Sequence, residues 1–491
     1  MKYEKKFHLN GKIFHLNFND LFYKKKNIYI FGCPFNIDKN KINEKYISKN
    51  LKEFYGYFFI IIKKKNSIIF ITDVLANKRV YYQYNGKKIL ISDQINNLSF
   101  KRKNFDKDIF NFFKLKNYTP GNLTFFKNIK KFQPCTKYEF KENCLKQKIY
   151  FKNIINEPNK DHLLKKIDKY LSKTLIFFKK KNVILLYSGG KDSTLILKYL
   201  LKLKIKFTPI YLSTHPRSFE TEKNIQNAKM ICSQNNLKLK IVKINLSNYF
   251  SINKIIKKNF LFDYHFSFLF YKGLKEIYRE YGKDIFILSG QSLDSILSFG
   301  PSQKTIGNFF ARYMNYYPLS IVSKFMSLIL SFKFKKKLTV SKTKENFFEN
   351  FYFNYFYYPV STELKLSENF FRYLRKITKH LKDDISKKMY LKIHGFLQGS
   401  DNMVLINSAK LLKNNKIFMP FGTLKFISII CKYYDFQKDV FYPKYLINLL
   451  EPELNYNDKK IKNLKLKLSI LNEKIKLNVI KSILKSYDKK N

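Results

Sequence analysis

Apolar residues in the first third of the chain fall into short β-branched and aromatic runs: Asn27–Phe31, Gly56–Ile62, Ser67–Thr72 and Lys88–Ser92. Lys, Asn and Gly punctuate them, which predicts strands bounded by turns. Such runs predict sheets packed on another layer rather than a helical bundle. Asn153–Asp161 is polar and reads as a linker, with Pro158 disfavouring regular structure. The pattern then changes. His162–Lys179 is helical in period, Val183–Tyr187 is a short buried strand and Ser193–Leu203 is an apolar helix. Phe207–Leu212 and Lys238–Ile244 read as strands, with the helix Glu220–Asn235 between them, and Asp284–Leu288 as a further strand. This alternation predicts a parallel α/β sheet. Past residue 300 the pattern is mostly helical, and the tail from Asn457 reads as a Lys-rich, solvated amphipathic helix. No fixed-period repeat is present.

The length of 491 residues predicts about three domains or two large ones. An apolar fraction of 45%, with 50 Phe and 36 Tyr, excludes a mainly disordered chain, and only 15 Gly exclude a collagen. The net charge of +59 points first to nucleic acid or an anionic membrane. Only seven of the 95 basic residues are Arg, however, so the surface lacks the bidentate fork that specific readers of phosphate and guanine favour. Lys, Asn, Ile, Phe and Tyr are abundant while Trp is absent, so we attribute the charge to AT-rich coding. Non-specific adhesion to polyanions is expected, and no specific nucleic-acid partner. Cys33, Cys135, Cys144, Cys232 and Cys431 form no CxxC pair, which argues against a zinc ribbon or a disulfide framework and fits a reducing compartment. The first residues, MKYEKKFHLN, hold no signal-peptide stretch. The run Tyr316–Phe332 is broken by Lys324 and short for a span of ~20 apolar residues. A cytoplasmic protein without a membrane span is expected.

The sharpest chemical signal is Ser188-Gly189-Gly190-Lys191-Asp192-Ser193, between a buried strand and a helix. Two glycines let backbone N–H groups approach an anion, and the helix N-terminus adds unpaired donors and the positive end of its dipole. Ser188 and Ser193 can add hydroxyls. Asp192 would repel a bare phosphate but suits a Mg²⁺ ligand. The GxxxxGK[ST] spacing of a Walker loop is absent. The six residues resemble the PP-loop of ATP pyrophosphatases, which cleave ATP between its α and β phosphates.

Further motifs resemble the asparagine synthetase family. Ser289-Gly290-Gln291-Ser292-Leu293-Asp294-Ser295 is similar to that family's SGEGxDE loop, with Gln291 and Ser295 in place of two acids. Ser400–Met403 and Met419–Gly422 resemble its DxxS and RxPFLD regions, and Pro443–Ile447 its KxxLR. In the first third, Gly32–Asn36, Gly56–Phe59 with Asp73 and Val80–Tyr82, and Thr124–Ile129 resemble the family's glutaminase domain. The resemblance implies an α/β architecture. A glutaminase-like (Ntn-type) β-sandwich with helices would occupy 1–155, and a Rossmann-like, parallel-sheet PP-loop domain with added helices 160–491. It also implies ATP and Mg²⁺ as cofactors, with ATP and pyrophosphate held by Ser188, Gly189, Gly190, Lys191, Asp192, Ser193, Ser289 and Gly290. Asp192 and Asp294 would hold the metal, and Lys444 would be the catalytic cation stabilising charge during adenylation. Arg217 and Glu222 could flank the nucleotide or belong to a solvated helix face.

One departure bears on the amine source. Glutaminases of this class use a Cys directly after the initiator Met, whereas position 2 is Lys and no Cys precedes Cys33. The expectation is therefore a degenerate glutaminase-like domain. β-Lactam synthetase and lasso-peptide cyclases are related proteins without that Cys, and they close rings with a substrate amine. The implied activity is an AMP-forming amide ligase joining a small-molecule or peptide carboxylate to ammonia or a substrate amine. Two other readings stay open: a PP-loop RNA-modifying enzyme, and a non-catalytic synthetase scaffold.

Overall fold

In a computed structural model, residues 3–98, 104–142, 144–215, 219–245, 267–297, 375–397 and 403–435 are described, less a few positions within these stretches, together with Arg372, Leu446 and Leu450. The described chain is a mixed α/β structure with three sheets. The first contains β1 (Tyr3–Leu9), β2 (Lys12–Phe18), β7 (Tyr81–Tyr84), β8 (Lys88–Ser92) and β9 (Ile129–Lys131), in the order β1-β2-β8-β7-β9. The second contains β3 (Leu21–Lys25), β4 (Ile28–Phe35), β5 (Tyr55–Lys63), β6 (Ser67–Thr72), β10 (Thr136–Lys141) and β11 (Cys144–Ile149), antiparallel throughout, in the order β11-β10-β6-β5-β4-β3.

The unbroken apolar runs of β5 and β6 follow from burial on both faces. Successive side chains of a strand point to opposite sides. Phe59, Ile61, Ile68 and Phe70 pack with Phe7, Phe14 and Phe18 of the first sheet. Their neighbours Ile60, Ile62, Ile69 and Ile71 pack with Ile42, Ile47 and Phe54. Ile47 lies on the helix Glu44–Asn50, whose start is capped by Asn43 Oδ1 accepting from Tyr46 N–H at 2.8 Å.

The third sheet contains β12 (Val183–Leu186), β13 (Thr208–His215), β14 (Lys240–Asn245), β15 (Phe286–Ser289) and β16 (Ile417–Phe418). Its order is β14-β13-β12-β15-β16, and every pair is parallel. Parity again divides the side chains. Val183, Leu185 and Leu288 join a core with the helices Lys160–Leu175, Lys191–Lys202, Phe219–Gln234 and Leu424–Tyr433. Ile184, Leu186, Val242 and Ile287 join another with the helices Phe268–Tyr281 and Met403–Leu411. Both cores continue into the first third of the chain, through Phe35, Tyr55 and Phe151 in one and Tyr81, Phe113 and Phe125 in the other.

The polar stretch Asn153–Asp161 has no regular structure before Lys160, as expected, but it is fastened rather than free. Ile154 N–H donates to Ser386 Oγ at 2.8 Å, and that hydroxyl donates to Ile154 O at 2.9 Å. Asn156 Nδ2 reaches Cys431 O at 2.8 Å and Tyr434 O at 3.1 Å. Glu157 and Asn159 N–H donate to Lys432 O and Tyr433 O at 2.7 and 3.0 Å. Pro158, which has no N–H, falls between these two donors. The segment is a strap laid across the end of the Leu424–Tyr433 helix.

Two polar features lie inside the first two sheets. Asp73, just past β6, accepts from four backbone N–H groups: Leu75 and Asn77 on Oδ1 at 3.0 and 2.9 Å, Phe58 and Lys78 on Oδ2 at 3.1 and 2.9 Å. Burial pushes its carboxyl up to about 6, with the four donors pulling the other way. Lys78 is buried and pairs with Asp93 at 2.6 Å and with Asp20. Elsewhere, His394, just past the helix Asp384–Lys392, is fully buried; burial and then the Lys131 ammonium lower its pKa to about 3.

No described helix is long and apolar enough to cross a membrane. The Tyr316–Phe332 run and the tail from Asn457 lie outside the described residues.

Candidate functional site

The third sheet reverses direction at β12. The chain runs from β12 outward to β13 and β14, then returns to lay β15 and β16 on the other side. A crevice outside the carboxyl ends of the strands is expected at such a switch. The two loops singled out in the sequence leave from these two strands, and Leu186 and Ser289 are in register, so they leave at the same level.

After Leu186, Tyr187 N–H still donates to Ile210 O at 2.8 Å. Gly189 then turns the chain at φ +70°, where a Cβ would sit 3.0 Å from Asn224 O and 3.1 Å from Ala228. Gly190 begins the helix Lys191–Lys202 without a side-chain cap. Its carbonyl accepts from Ser193 Oγ at 3.0 Å and Thr194 Oγ1 at 2.9 Å. Ser188 Oγ accepts from Gly190 N–H at 3.2 Å and lies 3.2 Å from Ser193 Oγ. The loop is thus braced by its own hydroxyls. The first N–H groups of the helix have no intrahelical acceptor and carry the positive end of its dipole.

The second loop touches the first. A Cβ on Gly290 would stand 2.9 Å from both Asp192 C and Ser193 N, so a side chain there would force the two backbones apart. Ser289 Oγ accepts from Gln291 N–H at 3.4 Å. Ser292 holds φ +82°, a conformation that favours glycine.

Between the loops lies a cleft of about 510 Å³. Ser188, Asp192, Ser193, Ser289, Gly290, Gln291, Ser292 and Ser295 form its polar side, and Leu186, Tyr187, Ile210, Tyr211, Leu212, Leu269 and Phe270 its apolar side. Asp192 is the one carboxylate among the described lining residues, and its Oδ1 is shielded from solvent. Gln291 Oε1 is also shielded and has no hydrogen-bond partner among the described residues. A carboxylate among serine hydroxyls is a hard-oxygen donor set. It suits Mg²⁺, which takes one or two carboxylates plus waters and phosphate oxygens. Among the described residues no group of three or more His, Cys, Asp or Glu forms a metal cluster.

Of the residues expected to hold ATP and pyrophosphate, Ser188, Asp192, Ser193, Ser289 and Gly290 come together around the cleft. Gly189 and Gly190 shape the turn. Lys191 is buried and does not line the cleft, because the helix begins at Lys191 itself and the next two residues take the facing positions. Asp294 belongs to the short helix Leu293–Leu297, and its side chain is outside what the structure describes. Lys444 and Arg217 lie outside the described residues. Glu222 sits half-buried on the helix Phe219–Gln234, away from the lining. Sequence reasoning missed the apolar wall. Tyr211 and Leu212 could have been found from their place on a predicted strand, whereas Leu269 and Phe270 arrive from a helix with no motif of its own.

No protein-family model and no curated protein matches the chain. Among solved structures it is similar to an NH3-dependent NAD synthetase from Campylobacter jejuni subsp. jejuni NCTC 11168 in complex with the nitrate ion. That match has 14% identity, covers 48% of this chain and 92% of the other, and has a TM-score of 0.21. A likeness so thin carries neither fold nor function, and the two loops carry the reading instead.

Proposed function

We propose that the protein is an ATP-dependent, AMP-forming amide ligase of the PP-loop type, related to asparagine synthetase. The observation that carries this reading is the meeting of two phosphate-suited loops at the switch point of a parallel sheet, Gly290 lying against Asp192 and Ser193. Pyrophosphate would lie between Ser188, Ser193, Ser289 and the helix N-terminus. The Tyr211–Leu212 and Leu269–Phe270 wall gives a flat base an apolar surface. Mg²⁺, held by Asp192 with Asp294, would supply charge neutralisation on the phosphates.

In the reaction, an oxygen of the substrate carboxylate attacks the α-phosphorus, the bond from that phosphorus to the bridging oxygen breaks, and pyrophosphate leaves. The resulting acyl-adenylate is attacked at its carbonyl carbon by ammonia or a substrate amine, which loses a proton as AMP departs. The chain's residues position the groups and stabilise charge on leaving oxygens. By the family resemblance, Lys444 would be the cation that stabilises charge during adenylation.

Residues 1–155 form, on this reading, a degenerate glutaminase-like domain and 160–491 the synthetase-like domain. Cysteine environments support an amine that does not come from glutamine. Burial pushes the Cys33 thiol up to about 12, Cys232 to about 11 and Cys135 and Cys431 well above the usual range. A reactive thiolate needs the opposite surroundings. Cys144 is exposed on the edge strand β11.

ATP–pyrophosphate exchange, measured with pools of carboxylates including aspartate, tests the reading. Carboxylate-dependent exchange that disappears in Asp192→Ala is the expected result. Exchange absent with every pool, although ATP binds, would overturn the small-carboxylate ligase.

A further inference from the structure

A second cleft, of about 440 Å³, lies on the strap; its charged lining residues are the exposed Lys52 and Lys152, the half-buried Lys432 and one carboxylate, Glu157. Its parts come from both ends of the described chain. Leu424, Ser428 and Lys432 are four residues apart and so share one face of the Leu424–Tyr433 helix. Lys52 follows the helix Glu44–Asn50.

The charge balance of this cleft is one-sided. Lys432 is matched by Glu157 at 3.5 Å, and the neighbouring Lys425 by Glu53 at 3.1 Å. No carboxylate pairs with Lys52 or Lys152 among the described residues. Burial, then the Lys152 and Lys425 ammoniums, lower the pKa of Lys52, so the cations strain against one another. Hydrogen-bond capacity points the same way. Tyr150 already donates its hydroxyl to Thr72 O at 2.5 Å, and Asn153 Oδ1 already accepts from Lys382 and Asp383 N–H at 2.7 and 2.8 Å. What remains is one acceptor, the Glu157 carboxylate facing Lys432, against four donors: the Asn153 amide nitrogen, the Ser428 hydroxyl and the Lys52 and Lys152 ammoniums. Ile154, Ile155 and Leu424 supply the apolar part of the lining, Ile155 exposed and Leu424 buried.

We propose that this cleft is a binding site for a small dianion, a phosphate or an organic phosphate, held by Lys52 and Lys152 with Ser428 and separate from the cleft between the two loops. Two unmatched ammoniums balance a doubly charged phosphate, and lysines bind phosphate as point charges. An organic body would cover the Ile154 and Leu424 surface. Since the lysines and Ser428 belong to segments joined by the strap, the bound anion ties the first third of the chain to the last described helix.

Calorimetric titration of the full chain with inorganic phosphate and with phenyl phosphate, at physiological salt, tests the site. The variants are Lys52→Ala/Lys152→Ala and the control Lys65→Ala/Lys87→Ala, which removes as much charge from exposed positions outside the cleft. A saturable binding phase is expected in the wild type, unchanged in the control and weaker by about tenfold or more in the cleft variant. Without ligand, that variant should melt above the wild type because two repelling cations are gone. Ser428→Asp, which places an anion in the cleft, should also abolish binding and serves if the double variant misfolds. Tighter binding of phenyl phosphate would identify an organic phosphate, and equal binding the phosphate group itself. No saturable phase, a phase that survives in the cleft variant, or an equal loss in the control would each overturn the proposal.

Discussion

The sandwich of the first two sheets and the parallel sheet solve the same packing problem and treat their polar groups in opposite ways. Both bury their central strands on two faces. In the sandwich the buried Asp73 spends both oxygens on four backbone N–H groups, and Lys78 meets two carboxylates. At the end of the parallel sheet, Asp192 and Gln291 line an open cleft beside a helix start. The same carboxylate chemistry is enclosed by backbone donors in the sandwich and lines a cleft at the end of the parallel sheet.

That contrast can be broken by experiment. Asp73→Ala should cost at least about 4 kcal/mol of stability, because four buried donors lose their acceptor at roughly 1–3 kcal/mol each, and urea unfolding reads this directly. Asp192→Ala should leave the unfolding midpoint unchanged or higher while reducing pyrophosphate exchange by about 100-fold or more. Destabilisation by Asp192→Ala comparable to that of Asp73→Ala would make the loop aspartate structural and end the distinction.

A second test uses pH. His394 has a folded pKa of about 3, below its unfolded value of roughly 6.5, so the unfolded state binds the extra proton between those values. The stability that neutral His394 contributes is complete above the unfolded pKa and is lost on acidification. Between pH 7 and pH 4 the loss should approach about 3 kcal/mol. Melting curves of His394→Gln should lack that part of the pH dependence; a parallel decline in both proteins would show that the imidazole takes up its proton in the folded state as readily as in the unfolded one. The smallest effect concerns Ser292. Its φ of +82° strains any side chain, so Ser292→Gly should be about 1 kcal/mol more stable than Ser292→Ala.

Much of this was legible in the chain. The runs NIYIF, GYFFIII, SIIFIT and KILIS are strands because two-sided burial leaves an unbroken apolar signature. The alternation after residue 160 is a parallel sheet, and SGGKDS lies where strand meets helix. β1 escaped notice because only one face is covered, and YEKKFHL reads as a charged segment. β11, CLKQKI, is an edge strand with no buried residue. The polar linker was correct in conformation yet silent about its anchoring, since carbonyls at the end of a distant helix leave no trace in the composition of the strap. For the site, glycine and acid spacing disclosed the two loops. The burial of Lys191 and the apolar wall depend on where the helices sit and have no local signature.

The pairing of β12 with β15 also has a consequence during synthesis. The two halves of the cleft between the loops are separated by about 100 residues, so at ~5–20 residues per second the ribosome emits the second loop on the order of ten seconds after the first. For that interval Gly189 and Gly190 follow a strand that can pair with β13 but lacks its β15 neighbour, and the cleft has only one of its two loops. A slow, non-local closing step of this kind sets the moment at which the cleft between the two loops first exists in the newborn protein.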